Sequence, residues 1–553
     1  MELHKMHMKH FRLVIPSWAP LSVEMRAETG QHYPANILVR GMPLYCRIAE
    51  MYGNSREVVD IRMVLSEQAP ELDHAMSDAY HISETRLGTS TSIGMTVLAA
   101  LDELQAHEGV VVHMADTLLG KDYAPLMDVV YVQPRTDLYR WTSMCVQEDN
   151  SLKVVNDRNE DALVGERNVC VGIFAFSDGL RFKRELSKSL AQPVVGIDPI
   201  FSAIEAYSRQ ILIRLHLVDE WYDYGHVDTY HESRLRFQNL RHFNELTYDP
   251  LRNVITKKSK HIEAFRHQVR WYRQIPDDLA YFLPRIYDSS DGDEPSISME
   301  FMSIPTLSEL FVGDRLEIGA WNGVARKLSE ILKLMDHYAF RSKLAEKLAE
   351  EVYIEKTQRR IRDFLTQSPQ ASGWWVWSGG RRVDLAYVCE MLHAYSHSNS
   401  LTSVDRLTPI HGDLCFSNIL YDHRVRQIKL IDPRGEFGVP GIYGDPRYDL
   451  AKLLHSYHGG YDFIVSDRFT ARLDTSGELQ CEFMDNQAWR HKITNILDEQ
   501  LFSDPVLKQQ CQAIEALLFL SMLPLHSDSP QRQLAMAYVG LHLFAHHVGG
   551  ISP

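Results

Sequence analysis

A loop followed by a hairpin restricts the possible folds of this chain more than any other feature of its sequence. The loop carries His411, Asp413 and Asn418, and residues 419–431 contain two short apolar runs that lead to Asp432. A charged turn separates the runs, so we expect an antiparallel hairpin that returns Asp432 to the loop. Two carboxylates and an amide gathered in this way suit phosphoryl transfer, which needs a base for the acceptor hydroxyl and oxygen ligands for Mg²⁺.

The segment resembles the aminoglycoside phosphotransferase and choline kinase group of small-molecule kinases. Their signature is H-G-D-x-x-x-x-N followed by a hairpin and an Asp, and this sequence matches it at His411, Asp413, Asn418 and Asp432. The resemblance implies that Asp413 is the catalytic base, that His411 braces the loop, and that Asn418 and Asp432 are magnesium ligands. It also implies an α+β, protein-kinase-like fold and ATP as the phosphate donor. The alternative is a polar turn without catalytic role, because Asp, Ser and Asn all favour turns.

Such a kinase also needs a lysine on a strand of a smaller lobe to bind the phosphates of ATP. Lys257 is our candidate, since Lys258 would point away unless the strand register shifts by one residue. Gln268 lies where the family has a glutamate that pairs with this lysine. Glu300 and Met302 resemble the hinge between lobes, where backbone groups would bind adenine. A solvated lysine and a buried strand without a ligand are the respective alternatives.

The first half of the chain alternates strands with helices, which predicts an α/β fold with a mostly parallel sheet and helices on both faces. Residues 34–44, 172–176 and 221–226 resemble motifs of sugar-phosphate nucleotidyltransferases, whose fold is GT-A-like. By that resemblance Asp116 and Asp223 bind Mg²⁺. Paired carboxylates make chemical sense there, because the metal would neutralise a triphosphate under attack.

The phosphate-binding loop of that family is altered in this sequence. Residues 16–22 contain no glycine, although glycine lets backbone N–H groups approach phosphates closely. The lysine expected near this loop is also absent, because Ala35 follows Pro34 directly. A GT-A-like glycosyltransferase and a catalytically silent domain therefore stay open beside nucleotidyl transfer.

Composition excludes several classes of protein. Fifty-eight Lys and Arg against 73 Asp and Glu give a net charge of 58 − 73 = −15, which argues against nucleic acid or an anionic membrane as the main partner. The seven cysteines form no C-x-x-C pair, so we expect neither disulfides nor a zinc site, and a reducing cytoplasm. The most apolar stretch, residues 513–525, is too short to cross a bilayer, so we expect no membrane insertion.

The sequence therefore predicts a nucleotidyltransferase-like α/β domain at residues 1–248, a kinase small lobe at 249–305 and a mainly helical large lobe at 306–553. Chains with this pairing are typical of bacterial capsule or surface-polysaccharide synthesis. We expect an ATP-dependent kinase acting on a hydroxyl of a sugar, polyol or amino alcohol, with Mg²⁺ and ATP as cofactors and a second nucleoside triphosphate at the N-terminal domain. The rival hypothesis is a non-catalytic nucleotide-binding scaffold. The acceptor and the oligomeric state stay undetermined.

Overall fold

The structure is a computed structural model that describes residues 10–39, 41–53, 57–72, 74–120, 123, 125–136, 141–155, 166–192, 196–238, 244–249, 251–313 and 316–548. The chain folds into two compact units, Met1–Leu240 and Arg241–Pro553. The division falls before the predicted boundary at residue 248. The strand Asn244–Asp249 pairs with Val254–Ser259 and so belongs to the second unit.

The first unit is built from strands and helices that alternate along much of its length. Its strands are β1 (Phe11–Ser17), β2 (Leu38–Val39), β3 (Met42–Pro43), β4 (Val58–Ser66), β5 (Ile82–Leu87), β6 (Gly109–His113), β7 (Thr117–Leu119), β8 (Val129–Arg135), β9 (Ser143–Val146), β10 (Leu152–Val155), β11 (Arg167–Phe176), β12 (Arg214–Leu217) and β13 (Trp221–Asp223). Its helices are α1 (Val23–Thr29), α2 (Leu44–Tyr52), α3 (His74–Ala79), α4 (Ile93–Ala99), α5 (Gly179–Leu190), α6 (Pro199–Ser208) and α7 (Val227–Gln238).

Most of these strands form one sheet in the order β10-β9-β11-β6-β1-β4-β5, with β8 beside β11 and β12 beside β8. Strand β1 is buried throughout, with Val14 in an apolar cluster that also includes residues of α4, α5 and α6, and with Phe11 against Tyr52 of α2. The α/β prediction is confirmed, but the prediction of a mostly parallel sheet is wrong. Strand β11 runs antiparallel to β6, β8 and β9. No described helix lies between β8 and β11, and strands without a crossover helix can pair antiparallel.

The second unit continues the numbering of strands and helices. Its strands are β14 (Asn244–Asp249), β15 (Val254–Ser259), β16 (Ile286–Ser290), β17 (Ser296–Glu300), β18 (Phe340–Arg341), β19 (Trp375–Ser378), β20 (Arg381–Asp384), β21 (Arg406–Pro409), β22 (Ile419–Asp422), β23 (Gln427–Leu430), β24 (Glu436–Phe437), β25 (Val439–Pro440), β26 (Tyr443–Gly444), β27 (Phe469–Leu473) and β28 (Leu479–Phe483). Its helices are α8 (Ile262–Gln274), α9 (Asp277–Ala280), α10 (Leu307–Val312), α11 (Ile318–His337), α12 (Ala345–Glu350), α13 (Lys356–Gln367), α14 (Leu385–Ser398), α15 (Pro446–Tyr457), α16 (Tyr461–Val465), α17 (Gln487–Leu501), α18 (Pro505–Met522) and α19 (Pro530–Val548).

The second unit begins with an antiparallel sheet in the order β14-β15-β17-β16, and helix α8 connects β15 to β16. Mainly helical structure follows, interrupted by the predicted hairpin of β22 and β23, which pairs Ile419 with Leu430. A π-helical turn, Glu351–Glu355, separates α12 from α13, so these residues do not form one continuous α-helix.

Among the described residues, no disulfide bond joins any of the seven cysteines. Among the described residues, no helix combines the length and the apolar character needed to cross a bilayer.

Candidate functional site

The loop from His411 to Asn418 is joined to the hairpin by hydrogen bonds of His411. Its Nε2–H donates to the carbonyl of Ile431 at 2.9 Å, and its Nδ1 accepts the N–H of Asp413 at 3.3 Å. The His411 carbonyl accepts the N–H of Arg434 at 2.8 Å. Burial lowers the pKa of His411 to about 4, so the ring is neutral at pH 7 and can donate from one nitrogen while it accepts at the other. This arrangement agrees with the bracing role expected for His411.

Asp449 of helix α15 binds the backbone of the same loop. Its two carboxylate oxygens accept the N–H groups of His411 at 2.7 Å and Gly412 at 2.9 Å. Gly412 has φ +77°, and a Cβ there would lie 2.9 Å from the Cβ of Arg434. Glycine is therefore required at this position both for the backbone conformation and for the close approach of the turn that follows the hairpin.

Asp413, the predicted base, is held between Asn418 and a lysine that sequence reasoning missed. The Nδ2 of Asn418 donates to the carboxylate of Asp413 at 3.1 Å and to its carbonyl at 2.8 Å. Lys452 Nζ lies 2.8 Å from Asp413 Oδ1. Burial alone would raise the pKa of Asp413, but Lys452, together with Arg434, holds it well below its usual range. Its position one turn after Asp449, between the apolar pairs 450–451 and 453–454 of helix α15, is the sequence signal that could have identified Lys452.

Asp432 at the end of the hairpin pairs with the predicted phosphate-binding lysine. Lys257 Nζ lies 2.6 Å from Asp432 Oδ1, and the lysine side chain is 9% exposed. Gln268 of α8 lies 3.5 Å from the same oxygen and donates to the carbonyl of Pro433 at 3.1 Å. The N–H of Asp432 donates to the hydroxyl of Tyr272. Lys258 instead extends to Glu294 at the surface, which agrees with the choice of Lys257.

These contacts bring Asp413, Asn418 and Asp432 to one place in the second unit. The charges of Asp413 and Asp432 both act to raise the pKa of His411, so both carboxylates lie near its ring. Asn418 uses its Nδ2 toward Asp413, and its backbone carbonyl accepts the N–H of Ile431, the residue before Asp432, at 3.0 Å. The Oδ1 of Asn418 is an oxygen of the kind that Mg²⁺ prefers. Among the described residues, no group of three or more His, Cys, Asp and Glu side chains could hold a metal by itself. A two-ligand site of this kind fits Mg²⁺ that is bound mainly through phosphate oxygens.

The two residues predicted to bind adenine lie at the end of β17. The Glu300 N–H donates to the carbonyl of Arg285 at 2.8 Å, and the N–H of Phe301 donates to the carbonyl of Asn253 at 2.9 Å. Met302 follows the strand and is partly exposed, and its N–H has no acceptor among the described residues. The backbone N–H of Glu300 is therefore engaged in a hydrogen bond within the sheet, whereas the backbone N–H of Met302 is suited to contact a nucleotide base.

The first unit brings its two predicted metal ligands together. Asp116 immediately precedes β7, Asp223 ends β13, and the two strands pair so that Thr117 lies opposite Asp223. A Cβ built on Gly225 would lie 2.6 Å from Asp116 Oδ2 and 3.3 Å from Asp223 Oδ1. Burial and the charge of Asp223 raise the pKa of Asp116 to about 6, as expected where two carboxylates share a site without a cation.

Neighbouring residues orient Asp223. Its Oδ2 accepts the hydroxyl of Thr229 at 2.6 Å and lies 2.9 Å from Nδ1 of His226, and its Oδ1 accepts the N–H of Gly225 at 3.1 Å. Fixed carboxylate geometry is what a magnesium site requires, because Mg²⁺ tolerates little departure from octahedral coordination.

The glycine-free loop after β1 is held by hydrogen bonds to other parts of the first unit. Trp18 donates through its ring N–H to the carbonyl of Leu87 at 3.1 Å, and the hydroxyl of Ser17 accepts the N–H of Ala35 at 3.3 Å. Pro34–Asn36 forms a short 3₁₀ helix in which Ala35 is buried. This packing replaces both the glycine loop and the lysine expected by resemblance.

No protein-family model matches the sequence, and the search of curated proteins finds no match. Among solved structures, the chain is similar to the CTP:phosphocholine cytidylyltransferase LicC of Streptococcus pneumoniae, at 13% identity and a TM-score of 0.34, over 41% of this chain and 99% of the other. A nucleoside-diphosphate-sugar pyrophosphorylase of Vibrio cholerae aligns at 16% identity and 0.33, over 40% and 99% of the chains. The inositol-1-phosphate CTP transferase of T. maritima aligns at 13% identity and 0.31, over 42% and 98%. What these enzymes bind and transfer is a property of those proteins.

Proposed function

We propose that the second unit is a magnesium- and ATP-dependent kinase that phosphorylates a hydroxyl group of a small molecule. The observation that carries this proposal is that Asp413 and Asn418 lie on one loop. The hairpin after this loop returns Asp432, which pairs with Lys257 of β15. Phosphoryl transfer needs little beyond such a set, because catalysis depends on positioning and charge stabilisation.

In this proposal the acceptor hydroxyl oxygen attacks the γ-phosphorus of ATP. An O–P bond forms, the bond from the γ-phosphorus to the bridging oxygen breaks, ADP leaves, and the hydroxyl proton passes to the carboxylate of Asp413. Asn418 and Asp432 would hold Mg²⁺, which supplies charge neutralisation of the phosphates when bound. Lys257 would bind a phosphate oxygen, and Met302 would contact the adenine through its N–H. His411 and Asp449 keep the loop that carries Asp413 in place.

The kinase proposal is tested by replacing the base with its nearest isostere. The Asp413→Asn variant keeps the shape of the side chain but cannot accept the proton, so turnover should fall about 10²–10⁴-fold. Phosphorus NMR of the product and ADP formation measure the change, with sugars, polyols and amino alcohols as acceptors.

Asp422→Asn is the matched control, because Asp422 lies at the far end of the same hairpin and binds Arg424 and the backbone of the turn there. It should retain full turnover. Unchanged turnover in Asp413→Asn would overturn the assignment of the base.

For the first unit we propose magnesium-dependent nucleotidyl transfer to a phosphorylated small molecule. The observation in favour is that Asp116 and Asp223 meet at Gly225. A kinase and a nucleotidyltransferase in one chain have a chemical logic, since the first makes the phosphate that the second activates. This sequence of reactions supports the expected role in making surface-polysaccharide precursors. A GT-A-like glycosyltransferase would use the same paired carboxylates, and the mass of the product distinguishes the two.

A non-catalytic scaffold is the rival for both units. A thermal-shift measurement with Mg²⁺ and ATP shows whether a nucleotide site exists, because a ligand that binds only the folded state raises its melting temperature. We expect a shift for the wild type and a smaller one for Asp432→Ala. No shift in the wild type would favour a scaffold without a nucleotide site, and a shift without ADP formation on any acceptor would favour a scaffold that binds nucleotide.

A further inference from the structure

Four cationic side chains surround Tyr448 next to the proposed base. We call Lys356, Arg360, Arg434 and Lys452 the basic cluster. Lys356 Nζ lies 5.5 Å from the centre of the Tyr448 ring, over its face. Lys452 is the partner of Asp413, and Arg434 also acts on that carboxylate. The basic cluster therefore reaches the place where the acceptor hydroxyl would have to lie.

The helix that carries two of these cations is irregular at the relevant point. The π-helical turn Glu351–Glu355 ends at Lys356, the first residue of α13. Arg360 follows four residues later, so both cations lie on one face of the helix. Like charges at this spacing destabilise a helix, and π-helical turns occur frequently at functional sites. A local distortion next to two partly buried like charges is typical of a ligand-binding site rather than of a solvated helix face.

The basic cluster carries more positive charge than its protein partners neutralise. Lys452 is paired with Asp413 at 2.8 Å, and Arg434 Nε lies 3.4 Å from Glu436 Oε1. Among the described residues, neither Lys356 nor Arg360 has a carboxylate within 4.0 Å, and Arg360 donates only to the carbonyl of Ser521, at 3.1 Å. The four cations of the basic cluster face the carboxylates of Asp413 and Glu436, which leaves a local excess of positive charge in a chain whose net charge is −15.

The titration of the central groups agrees with this excess. Burial, together with Arg434 and Arg360, lowers the pKa of Lys356 to about 8, although Tyr448 acts to raise it. Burial alone would raise the pKa of Tyr448, but Lys356, Arg434 and Lys452 lower it to about 8. An anion bound beside Lys356 would relieve both effects.

The basic cluster is distinct from the lysine proposed for the phosphates of ATP. Lys257 belongs to β15 of the small sheet, whereas Lys356 and Arg360 belong to α13, and Lys356 lies over the ring of Tyr448 in α15. Lys257 thus contacts Asp432 from the small sheet, whereas Lys452 of the basic cluster contacts Asp413 from helix α15. Lys257 suits the nucleotide, and the basic cluster is left for the acceptor.

Resting on the kinase function proposed above, we infer that the acceptor carries an anionic oxygen group, a carboxylate or a phosphate, which the basic cluster binds beside the hydroxyl that is phosphorylated. Arginine binds both kinds of group in bidentate geometry, and lysine adds a point charge. Cationic amino alcohols are disfavoured as acceptors, because their ammonium group would meet the excess positive charge. The acceptor class is therefore a hydroxy acid or an already phosphorylated sugar or polyol.

Matched acceptors that differ only in the anion test this inference with the full chain. The pairs are glycerate and glycerol 3-phosphate against glycerol, and glucuronate and glucose 6-phosphate against glucose. We expect kcat/KM at least tenfold higher for an anionic member than for its neutral partner, and the preferred anion then identifies carboxylate or phosphate. Equal or better turnover of the neutral partners would overturn the inference while leaving the kinase function intact.

Variants of the basic cluster provide a second test of the inference. Lys356→Met and Arg360→Met should raise KM for the preferred anionic acceptor at least tenfold, with Lys356→Gln as a second variant should the Met variant fold poorly. Arg359→Met is the matched control, because Arg359 is the neighbouring residue but is exposed and lies 3.6 Å from Glu351. An equal loss in the control, or a loss of Mg²⁺-ATP affinity as large as the loss for the acceptor, would overturn the assignment.

Calorimetric binding separates failure of the inference from failure of the kinase proposal. Glycerol 3-phosphate and glycerate are titrated into the wild type and Lys356→Met without nucleotide, and Mg²⁺-ATP is titrated separately. Binding of an anion to the wild type that weakens in the variant supports the inference even if no phosphoryl transfer is found. Binding of ATP without binding of any anionic probe overturns the inference and leaves the kinase proposal standing.

Discussion

At the scale of single residues, Lys452 sets the charge state of the proposed base. Because the pKa of Asp413 is held well below its usual range, the carboxylate stays ionised at any pH used for an assay. The pairing stabilises the fold above the pKa of an unfolded Asp, about 3.9, and this contribution is lost as the pH falls through the folded value. An acid limb of activity near neutral pH would have to come from another group.

Asp449 is a different case and gives a prediction about pH. Burial raises its pKa to about 7, despite the two N–H groups that it accepts. Between about pH 4 and 7 the folded state then binds more protons than the unfolded state, so this residue makes the fold less stable as pH rises, by at most about 1.4 kcal/mol per pH unit. An Asp449→Asn variant lacks this dependence but leaves one N–H facing an amide, which costs about 1–3 kcal/mol.

We therefore expect Asp449→Asn to melt below the wild type at pH 5, with a gap that narrows toward pH 7.5. Thermal melts of the full chain at intervals of half a pH unit measure the gap, in which the contributions of other groups cancel. A gap that stays constant or widens with pH would show that the N–H bonds and Lys452 outweigh burial, and that Asp449 is ionised throughout.

At the scale of elements, the turn after the hairpin depends on contact with helix α8. Gly435 has φ +72°, and a Cβ there would lie 2.2 Å from the carbonyl oxygen of His267. The Gly435→Ala variant adds a left-handed backbone cost of about 1–2 kcal/mol to this clash. The turn must move away from α8, and with it Asp432, three residues earlier. We expect a clear loss of thermal stability and at least a hundredfold loss of turnover.

Gly323→Ala is the matched control for this prediction. Gly323 lies inside α11, and a Cβ there meets no atom within 4 Å. The substitution should stabilise the chain by about 0.5–1 kcal/mol, because alanine favours the helix. Melting curves and ADP formation are measured for both variants. Wild-type melting and turnover in Gly435→Ala would contradict the role assigned to the turn.

Sequence patterns predicted the elements whose geometry is local. The hairpin and the spacing of Asp413 and Asn418 lie within about twenty residues, so short-range rules were sufficient. The π-helical turn before Lys356 was not predictable, because apolar periodicity does not show a register change of one residue. The direction of β11 relative to its neighbouring strands was not predictable for a similar reason, since an apolar run has the same pattern in a parallel and an antiparallel strand. Lys452 was missed because its partner is distant in sequence.

At the scale of the whole molecule, the negative net charge bears on how an anionic acceptor could bind. A net charge of −15 repels anions at long range, but the Debye length is only about 8 Å at physiological ionic strength. Anion recognition must therefore be local, as the excess charge of the basic cluster is. The same net charge argues against nucleic acid as a main partner, yet composition could not reveal a basic site of a few residues inside an acidic chain.

The two compact units give the last prediction, that the two proposed activities can be removed separately. The described partners of Asp413 are in the second unit, and those of Asp223 are in the first. We expect Asp413→Asn to abolish ADP formation while nucleotide-dependent release of pyrophosphate from a supplied sugar phosphate continues. Asp223→Asn should have the reverse effect, since its loss removes a carboxylate from the paired site of the first unit alone. The double variant should lack both products, measured by mass in one reaction mixture.

Loss of both products in either single variant would show that the units do not act independently. Absence of pyrophosphate release in the wild type would favour the glycosyltransferase or the catalytically silent alternative for the first unit.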